Sequence, residues 1–319
     1  MVPDQPSDLV PLAGDRLNPL VTTVRKGFGS PLARPGPLLM LAASLAFVLM
    51  TALVKIVRAE LSGLEVVLWR GVLSAPVLLV LARRHGLRLV NRRAFVVRLV
   101  FGFSAMTGYA IAARGLSLVD LNLIGKLRPV IIAVAAPLIL GRRERSSGGE
   151  WLMLVTGFAG CGLLIGPNLA VGSLYGLWAL VSVACSAGAH VALRRLGATD
   201  AARTIVFWFH VGVAGLAAVG IAATRGGFRL PPPELVPALV GIAAAATVGQ
   251  LLMTRAYALD KATVVAAASY AGPVWSLIGD LLIFGLVPTG WAMAGGSLVL
   301  VSSLWLVLRR QEPTVPSGA

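Results

Sequence analysis

Hydrophobic residues in this chain gather into long unbroken blocks, and short polar or basic stretches separate them. A helix that crosses a bilayer needs about 20 mostly apolar residues. Ten blocks meet that length: 37–57, 64–82, 95–113, 119–140, 151–167, 174–193, 204–223, 236–256, 262–284 and 290–308. The joints from Arg114 to Asp120 and at Asp260 and Lys261 are short but charged, so they read as tight turns between separate helices. Residues 1–35 are Pro-rich and polar, which predicts a disordered tail, and 311–319 predict a second, shorter one. No apolar h-region is visible in the first tail, so no signal peptide is expected.

Basic residues set the orientation, because cytoplasmic loops collect Lys and Arg. With the N-terminus inside, five of the 28 basic residues fall outside (Lys55, Arg58, Arg114, Arg225 and Arg229). Three lie within spans (Arg70, Lys126 and Arg128), and the remaining 20 fall in cytoplasmic segments, Arg98 at the start of the third span among them. Both termini are therefore expected in the cytoplasm, as an even number of spans requires.

The chain also repeats itself. Pro129 precedes Gly141 by 12 residues and Pro273 precedes Gly285 by 12, each pair bracketing an apolar run. Arg-Arg-Glu-Arg follows Gly141, whereas the uncharged Leu-Val-Pro-Thr follows Gly285, so the equivalent loops are expected on opposite sides. A weaker echo joins Arg-His-Gly-Leu-Arg-Leu at 84–89 to Arg-Gly-Gly-Phe-Arg-Leu at 225–230. Five spans per half is an odd number, which inverts the second half. The expected architecture is all-α and integral to the membrane: ten transmembrane helices as two inverted five-helix repeats, 36–168 and 169–310, around a central cavity. Inverted repeats of this kind are a mark of secondary transporters, with the site where the halves meet.

Composition agrees. The chain is 57% hydrophobic and 13% charged, with a mean hydropathy of +0.85, where soluble domains have about 25% charged residues. The net charge of +15 is spread over short clusters between apolar blocks, which is the positive-inside pattern and not a nucleic-acid footprint. Cys161 and Cys185 sit inside spans and read as packing thiols. Neither a metal site nor a cofactor is expected.

At residues 128–141 the stretch Arg-Pro-Val-Ile-Ile-Ala-Val-Ala-Ala-Pro-Leu-Ile-Leu-Gly, followed by Trp151 and by Gly-Phe-Ala-Gly-Cys-Gly-Leu-Leu-Ile-Gly-Pro at 157–167, resembles the end of an EamA-type repeat of the drug/metabolite transporter superfamily. Residues 255–270, with Pro-Val-Trp and the run to Gly285 after them, resemble the same part of a second repeat, and Arg70 resembles an Arg common near the start of the second helix. The likeness covers roughly 37–310. It implies a ten-helix carrier of small metabolites, working by alternating access in a bacterial cytoplasmic membrane. The chain departs from the pattern where a Glu is expected after the Gly that closes spans four and nine. Arg142 and Leu286 stand there, and Glu144 is the candidate replacement in the first repeat.

Charges inside a membrane are expensive and call for a function. Lys126 and Arg128 precede Pro129, whose missing N–H frees a carbonyl and breaks the helix. Either cation could then meet an anionic solute, the alternatives being a snorkelling pair or a bridge to Asp120. Arg70 reads as a binding residue or as a structural partner of Glu65 or Glu60. Tyr270 and Trp275 flank Pro273 and share its site; Gln250 is an amide deep in an apolar run, and Tyr109 is a further candidate lining residue. Asp280, His190 and His210 are candidates for proton coupling, with interfacial hydration and helix–helix hydrogen bonding as their alternatives. Pro129 and Pro273 are the candidate hinges. The function expected is a secondary transporter of a small organic solute such as an amino acid or a nucleoside-like metabolite, proton-coupled or by exchange. A channel or lipid-handling protein is the second reading. A membrane-embedded lipid transferase is the third, though it lacks clustered carboxylates and the chain has no P-loop. Ten helices can close around a cavity without a partner chain.

Overall fold

The computed structural model describes residues 34–83, 86–116, 118–165, 174–224, 230–284 and 289–308. Residues 1–33 of the first tail, the second tail, the echo residues Arg84, His85 and 225–229, Gly285 and Leu286 lie outside the described residues, as do the side chains of Asp120 and Asp280. Arg34 and Pro35, expected in the tail, belong to the fold instead: Pro35 opens span one and Arg34 N–H donates to the Val307 carbonyl at 2.8 Å.

Among the described residues, ten helices are long and apolar enough to cross a membrane. Span one is Pro35–Val57, two Gly63–Arg83, three Arg92–Ala112, five Gly148–Ile165, six Leu174–Leu196, seven Ala202–Ala223, eight Val236–Leu259 and ten Gly290–Leu308. Spans four and nine are each broken in two, as Leu118–Gly125 with Arg128–Leu140 and as Ala262–Ala268 with Ala271–Phe284.

Local chemistry explains where the helices begin. Ser62 and Glu65 form a reciprocal capping box at span two, Ser62 N–H donating to Glu65 Oε2 at 2.7 Å and Glu65 N–H to Ser62 Oγ at 3.3 Å. Ser147 and Glu150 repeat the device at span five, at 2.9 and 3.3 Å. Each box satisfies two backbone donors that a helix start leaves open. Asn91 caps span three by accepting from Ala94 N–H at 3.1 Å, which starts that helix at Arg92, earlier than the apolar block suggests.

The two breaks are built alike. Lys126 and Leu127 N–H donate to the carbonyls of Leu123 and Ile124, and Ser269 and Tyr270 N–H to those of Ala266 and Ala267, all at 3.0 Å. These are tightened, three-residue turns, which keep the backbone satisfied where the α-helix stops. Pro129 and Pro273 stand just beyond, in the first turn of each second half, where a missing N–H does least harm.

Four helix pairings dominate the packing: spans one with eight, three with six, two with seven, and five with ten. Renumbering every span by five turns this set into itself. The largest cluster of buried apolar side chains joins Met40 and Ala43 of span one, Ile132 and Ala136 of span four, Leu193 and Leu196 of span six, Tyr257 of span eight and Val265 of span nine. Large apolar side chains such as Val80, Leu138 and Leu152 point outward, where a bilayer would cover them.

Spans five and ten touch through backbone. A Cβ on Gly295 would stand 2.5 Å from the Gly160 carbonyl oxygen and 2.6 Å from Leu164 N, and one on Gly160 2.8 Å from the Gly295 oxygen. Small residues permit this approach in lipid, where helix association rests on close packing. Overpacking of this kind costs about 1–3 kcal/mol or more, so Gly295→Leu is expected to lower the unfolding temperature in detergent by several degrees. Gly290→Leu, where nothing lies within 4 Å of the new Cβ, is expected to leave it nearly unchanged; size-exclusion chromatography after a heating series reads both.

Candidate substrate site

Arg98 lies two turns into span three and is 4% exposed. Its guanidinium sits 4.3 Å above the ring of Phe209 in span seven, and its Nη2 donates to Gln250 Oε1 of span eight at 3.3 Å. Arg70 of span two is 8% exposed, with Nη2 3.9 Å from Met106 Sδ. Arg128 opens the second half of span four. The Nε–H groups of Arg70, Arg98 and Arg128 are all buried and have no hydrogen-bond partner among the described residues.

Electrostatic reach orders these groups. Arg98 feels both Arg70 and Arg128, and Lys126 feels Arg128. Lys126 stands in the break of span four, and its Nζ lies 3.7 Å from the place a Cβ would take on Gly272, just past the break of span nine. These couplings link the four cations in a row, Arg70–Arg98–Arg128–Lys126, drawn from spans two, three and four. None has a carboxylate within ion-pair distance among the described residues, whose ion pairs all involve Arg34, Arg194 or Lys261 instead. An uncompensated in-membrane charge costs about 2.5–3.5 kcal/mol on insertion scales. Four together are hard to account for as scaffolding.

Polar side chains line the row. His190 of span six lies within reach of Arg98 and Arg128, its ring centroid 5.3 Å from that of the buried Tyr257. His210 of span seven lies within reach of Arg70 and Arg98. Its Nδ1 meets the Val206 carbonyl at 2.9 Å, while Nε2 is buried without a partner among the described residues. A carbonyl only accepts, so Nδ1 carries a proton. Spans two and seven reach this close contact because Gly71 has no side chain: a Cβ there would meet the His210 carbonyl oxygen at 2.7 Å.

Of the residues singled out by sequence, Arg70, Lys126, Arg128, Gln250, His190 and His210 come together here. Tyr270 is fully buried at the break of span nine, its hydroxyl without a partner among the described residues; a Cβ on Gly157 of span five would touch its ring at 2.6 Å. Trp275 serves as a clasp, its Nε1–H within 3.0 Å of Ser44 Oγ and 3.2 Å of the Leu41 carbonyl in span one. Tyr109 lies three turns along span three from Arg98, on the same helix face, and is 43% exposed. Asp280 lies in the second half of span nine, and its side chain is outside the described residues. Arg98 is the residue that sequence reasoning left in the cytoplasmic segments. The block 95–113 already holds it, but the basic Arg92 and Arg93 just before drew it to the loop, and neither Phe209 nor Gln250 gives a sign of its neighbour in the one-dimensional pattern.

Residues 34–166 match the model of the EamA-like transporter family. The pseudopaline exporter CntI of Pseudomonas aeruginosa is 30% identical over 285 residues, which is 86% of this chain and 96% of that protein. The chain belongs to the EamA-like transporter family. An uncharacterized transporter of Helicobacter pylori is 26% identical over 285 residues, 86% of this chain and 94% of that one. Human solute carrier family 35 member G1 is 26% identical over 234 residues, 69% of this chain and 63% of that one. A solved crystal structure shares the fold at a TM-score of 0.74 and 16% identity, covering 86% of this chain and 99% of the other. The protein is thus a drug/metabolite transporter, a multi-pass protein of the bacterial inner membrane that moves a small metabolite.

In this EamA-like transporter the departure at Arg142 is made good two residues later. Glu144 closes a one-turn 3₁₀ helix, Arg142–Glu144, and turns inward to 5% exposure. It accepts from Arg194 Nε and from the Ala262 N–H that opens span nine, both at 2.7 Å. Arg194 also donates to the carbonyls of Tyr257 and Ala258 at 3.0 Å, near the end of span eight. Beside it, Arg34 grips Asp260 with Nε and Nη2 at 3.0 and 2.9 Å, and Asp260 accepts the Gly36 N–H at 2.9 Å. Glu150 lies 3.8 Å from both Arg34 and Lys261. This network ties spans one, five, six, eight and nine at one face of the bundle.

Removing one partner from a buried ion pair leaves the other charge exposed to an apolar surrounding, at a cost of about 3–5 kcal/mol. Arg34→Ala is expected to lower the unfolding temperature markedly. The double variant Arg34→Ala, Asp260→Asn is expected to recover more than half of that loss, because the amide that replaces the carboxylate still accepts from the Gly36 N–H and carries no orphan charge; thermal unfolding of the three proteins in one detergent measures it.

Proposed function

We propose that this transporter is a secondary carrier for small anionic metabolites, exporting them by alternating access between two inverted five-span halves with both termini in the cytoplasm. The observation that carries the reading is the row of four cations, Arg70 and Arg98 buried and Lys126 and Arg128 half-buried, without a carboxylate partner among the described residues. Preorganised guanidinium groups in an apolar bundle favour carboxylate or phosphate oxygens, which they bind in pairs. Spans two, three, four, seven and eight, with the span nine break beside Lys126, each bring a side chain or backbone to this row, so a solute there would feel any shift of one half against the other.

The inverted duplication is supported by two features: the dominant pairings that map onto themselves under renumbering by five, and the matched breaks in spans four and nine. Short discontinuous helices near the middle of the membrane are where carriers place their sites. Pro129 and Pro273, one turn past the breaks, serve as the hinges. In this reading the ion-pair network around Arg34, Asp260, Glu144 and Arg194 is the cytoplasmic closure, since Lys and Arg collect at that face. Export is favoured by the name of the Pseudomonas relative. That the relatives are transporters supports a carrier without catalytic residues. Asp280, His190 and His210 are the groups through which a proton gradient would act.

Counterflow in proteoliposomes tests the reading, with pooled organic acids, amino acids and nucleosides and with and without an inward proton gradient. Saturable accumulation of an anionic pool is expected. Arg98→Gln is expected to cut that accumulation at least tenfold and Arg98→Lys less, while Gly290→Leu stays near wild type. Saturable accumulation of a neutral pool that survives Arg98→Gln would rule out the anion site, and flux that neither saturates nor responds to solute on the far side would identify a channel.

A further inference from the structure

Six arginines fall between residues 83 and 98, where span two ends and span three begins, and no Asp or Glu occurs from 66 to 119. Arg83, Arg88, Arg92 and Arg93 are exposed. None of these four has a carboxylate within ion-pair distance among the described residues. We infer that this corner binds the headgroup phosphate of an anionic phospholipid, whose acyl chains lie along spans two and three below it. The site is separate from the cation row and does not depend on what the protein carries.

Helix geometry sets these charges over surface that lipid covers. On span two Val77 and Val80 are exposed, and Arg83 follows Val80 by three residues. On span three Val96 and Val97 are exposed, and they follow Arg93 by three and four residues. Side chains three or four apart share a helix face. Arg83 and Arg93 therefore each top an apolar strip, about 4.5 Å further along the axis than its nearest valine. The strips run on through Val72 on span two and through Val100 and Phe101 on span three, all exposed. A charged tip on a long apolar stem reaches the headgroup level from such a position.

The loop between the two helices is fixed from span seven. Thr204 Oγ1 donates to the Gly86 carbonyl at 2.9 Å and Trp208 Nε1 to the Leu87 carbonyl at 2.8 Å. Asp200, just before that span, turns both carboxylate oxygens to the loop backbone and accepts the N–H groups of Val90 and Asn91 at 2.6 and 3.2 Å. A site ordered in advance loses less freedom when a ligand arrives. Val90 is 68% exposed among the arginines, an apolar side chain where hydrocarbon gives way to headgroups. Arg92 and Arg93 stand in the first turn of span three, where the helix dipole disfavours cations, so helix stability does not account for them. Guanidinium groups bind phosphate oxygens in pairs, and a headgroup with net negative charge brings no cation of its own to compete.

A ligand that binds the folded state alone raises the unfolding temperature with its concentration. The purified full-length protein in detergent is titrated at fixed ionic strength with phosphatidylglycerol, phosphatidylcholine and inorganic phosphate. Phosphatidylglycerol is expected to reach half of its stabilising effect at a concentration roughly tenfold or more below that of phosphatidylcholine. Arg92→Gln with Arg93→Gln is expected to bring the two lipids within about threefold of each other, while Arg92→Lys with Arg93→Lys keeps most of the gap. Arg83→Gln, on the other helix, is expected to narrow the gap by itself, so the outcome does not hang on one folded variant. Arg142→Gln with Arg143→Gln removes the same charge from another exposed turn and is expected to leave the preference unchanged. Equal stabilisation by both lipids in the wild-type protein overturns the site. A loss of preference as large in the Arg142, Arg143 variant as in the Arg92, Arg93 variant also overturns it, since the charge of the whole face would then be at work. Stabilisation by inorganic phosphate at the concentrations where phosphatidylglycerol acts identifies a free-anion site and overturns the lipid.

Discussion

A charge in an apolar bundle is tolerated when something nearby balances it, and that requirement sorts the charged residues of this protein into two groups. At one face Arg34, Arg194 and Lys261 meet Asp260, Glu144 and Glu150 within ion-pair distance, and the spare lone pairs accept the backbone N–H groups of Gly36 and Ala262. Those charges are spent on holding helices together. In spans two, three and four, Arg70, Arg98, Arg128 and Lys126 meet sulfur, an amide, an aromatic face and one another. The first group makes the scaffold coherent; the second makes sense as the place where a solute supplies the missing charge.

The same economy governs the backbone. Lipid offers no hydrogen bonds, so a helix can be interrupted only where its N–H and C=O groups find partners inside the protein. Spans four and nine satisfy this by tightening to three-residue turns just before the break, with Pro129 and Pro273 placed in the first turn after it. The interruption brings Lys126 beside Gly272, and so joins the two broken helices at one spot. A continuous helix through residue 126 would carry that side chain around its own axis and away from the row.

Glycines decide how near the helices lie. The Gly160–Gly295 contact and the approach of Gly71 to the His210 carbonyl put backbone against backbone, and the second of these sets the separation of Arg70 from the polar side chains of span seven. Packing in lipid gains little from apolar burial and much from such close fits. The site therefore depends on residues that carry no chemistry themselves.

Ten spans, the membrane class, the family and the break near Pro129 were all legible in the chain, because each follows from a one-dimensional quantity: the length of an apolar run against a bilayer's thickness, the absence of charge, a local motif, a missing N–H. Glu144 was legible as a stand-in for the residue expected at 142, though not the partners it reaches. Arg98 shows where that reasoning ends. It stands at the edge of an apolar block, among basic residues that line a loop, and only the contacts with Phe209 and Gln250 show that it faces the bundle. Which cations lie near one another was settled only by the tertiary structure, because their proximity comes from how spans two, three, four, seven and eight pack, and packing partners leave no mark on a sequence of uniformly apolar helices.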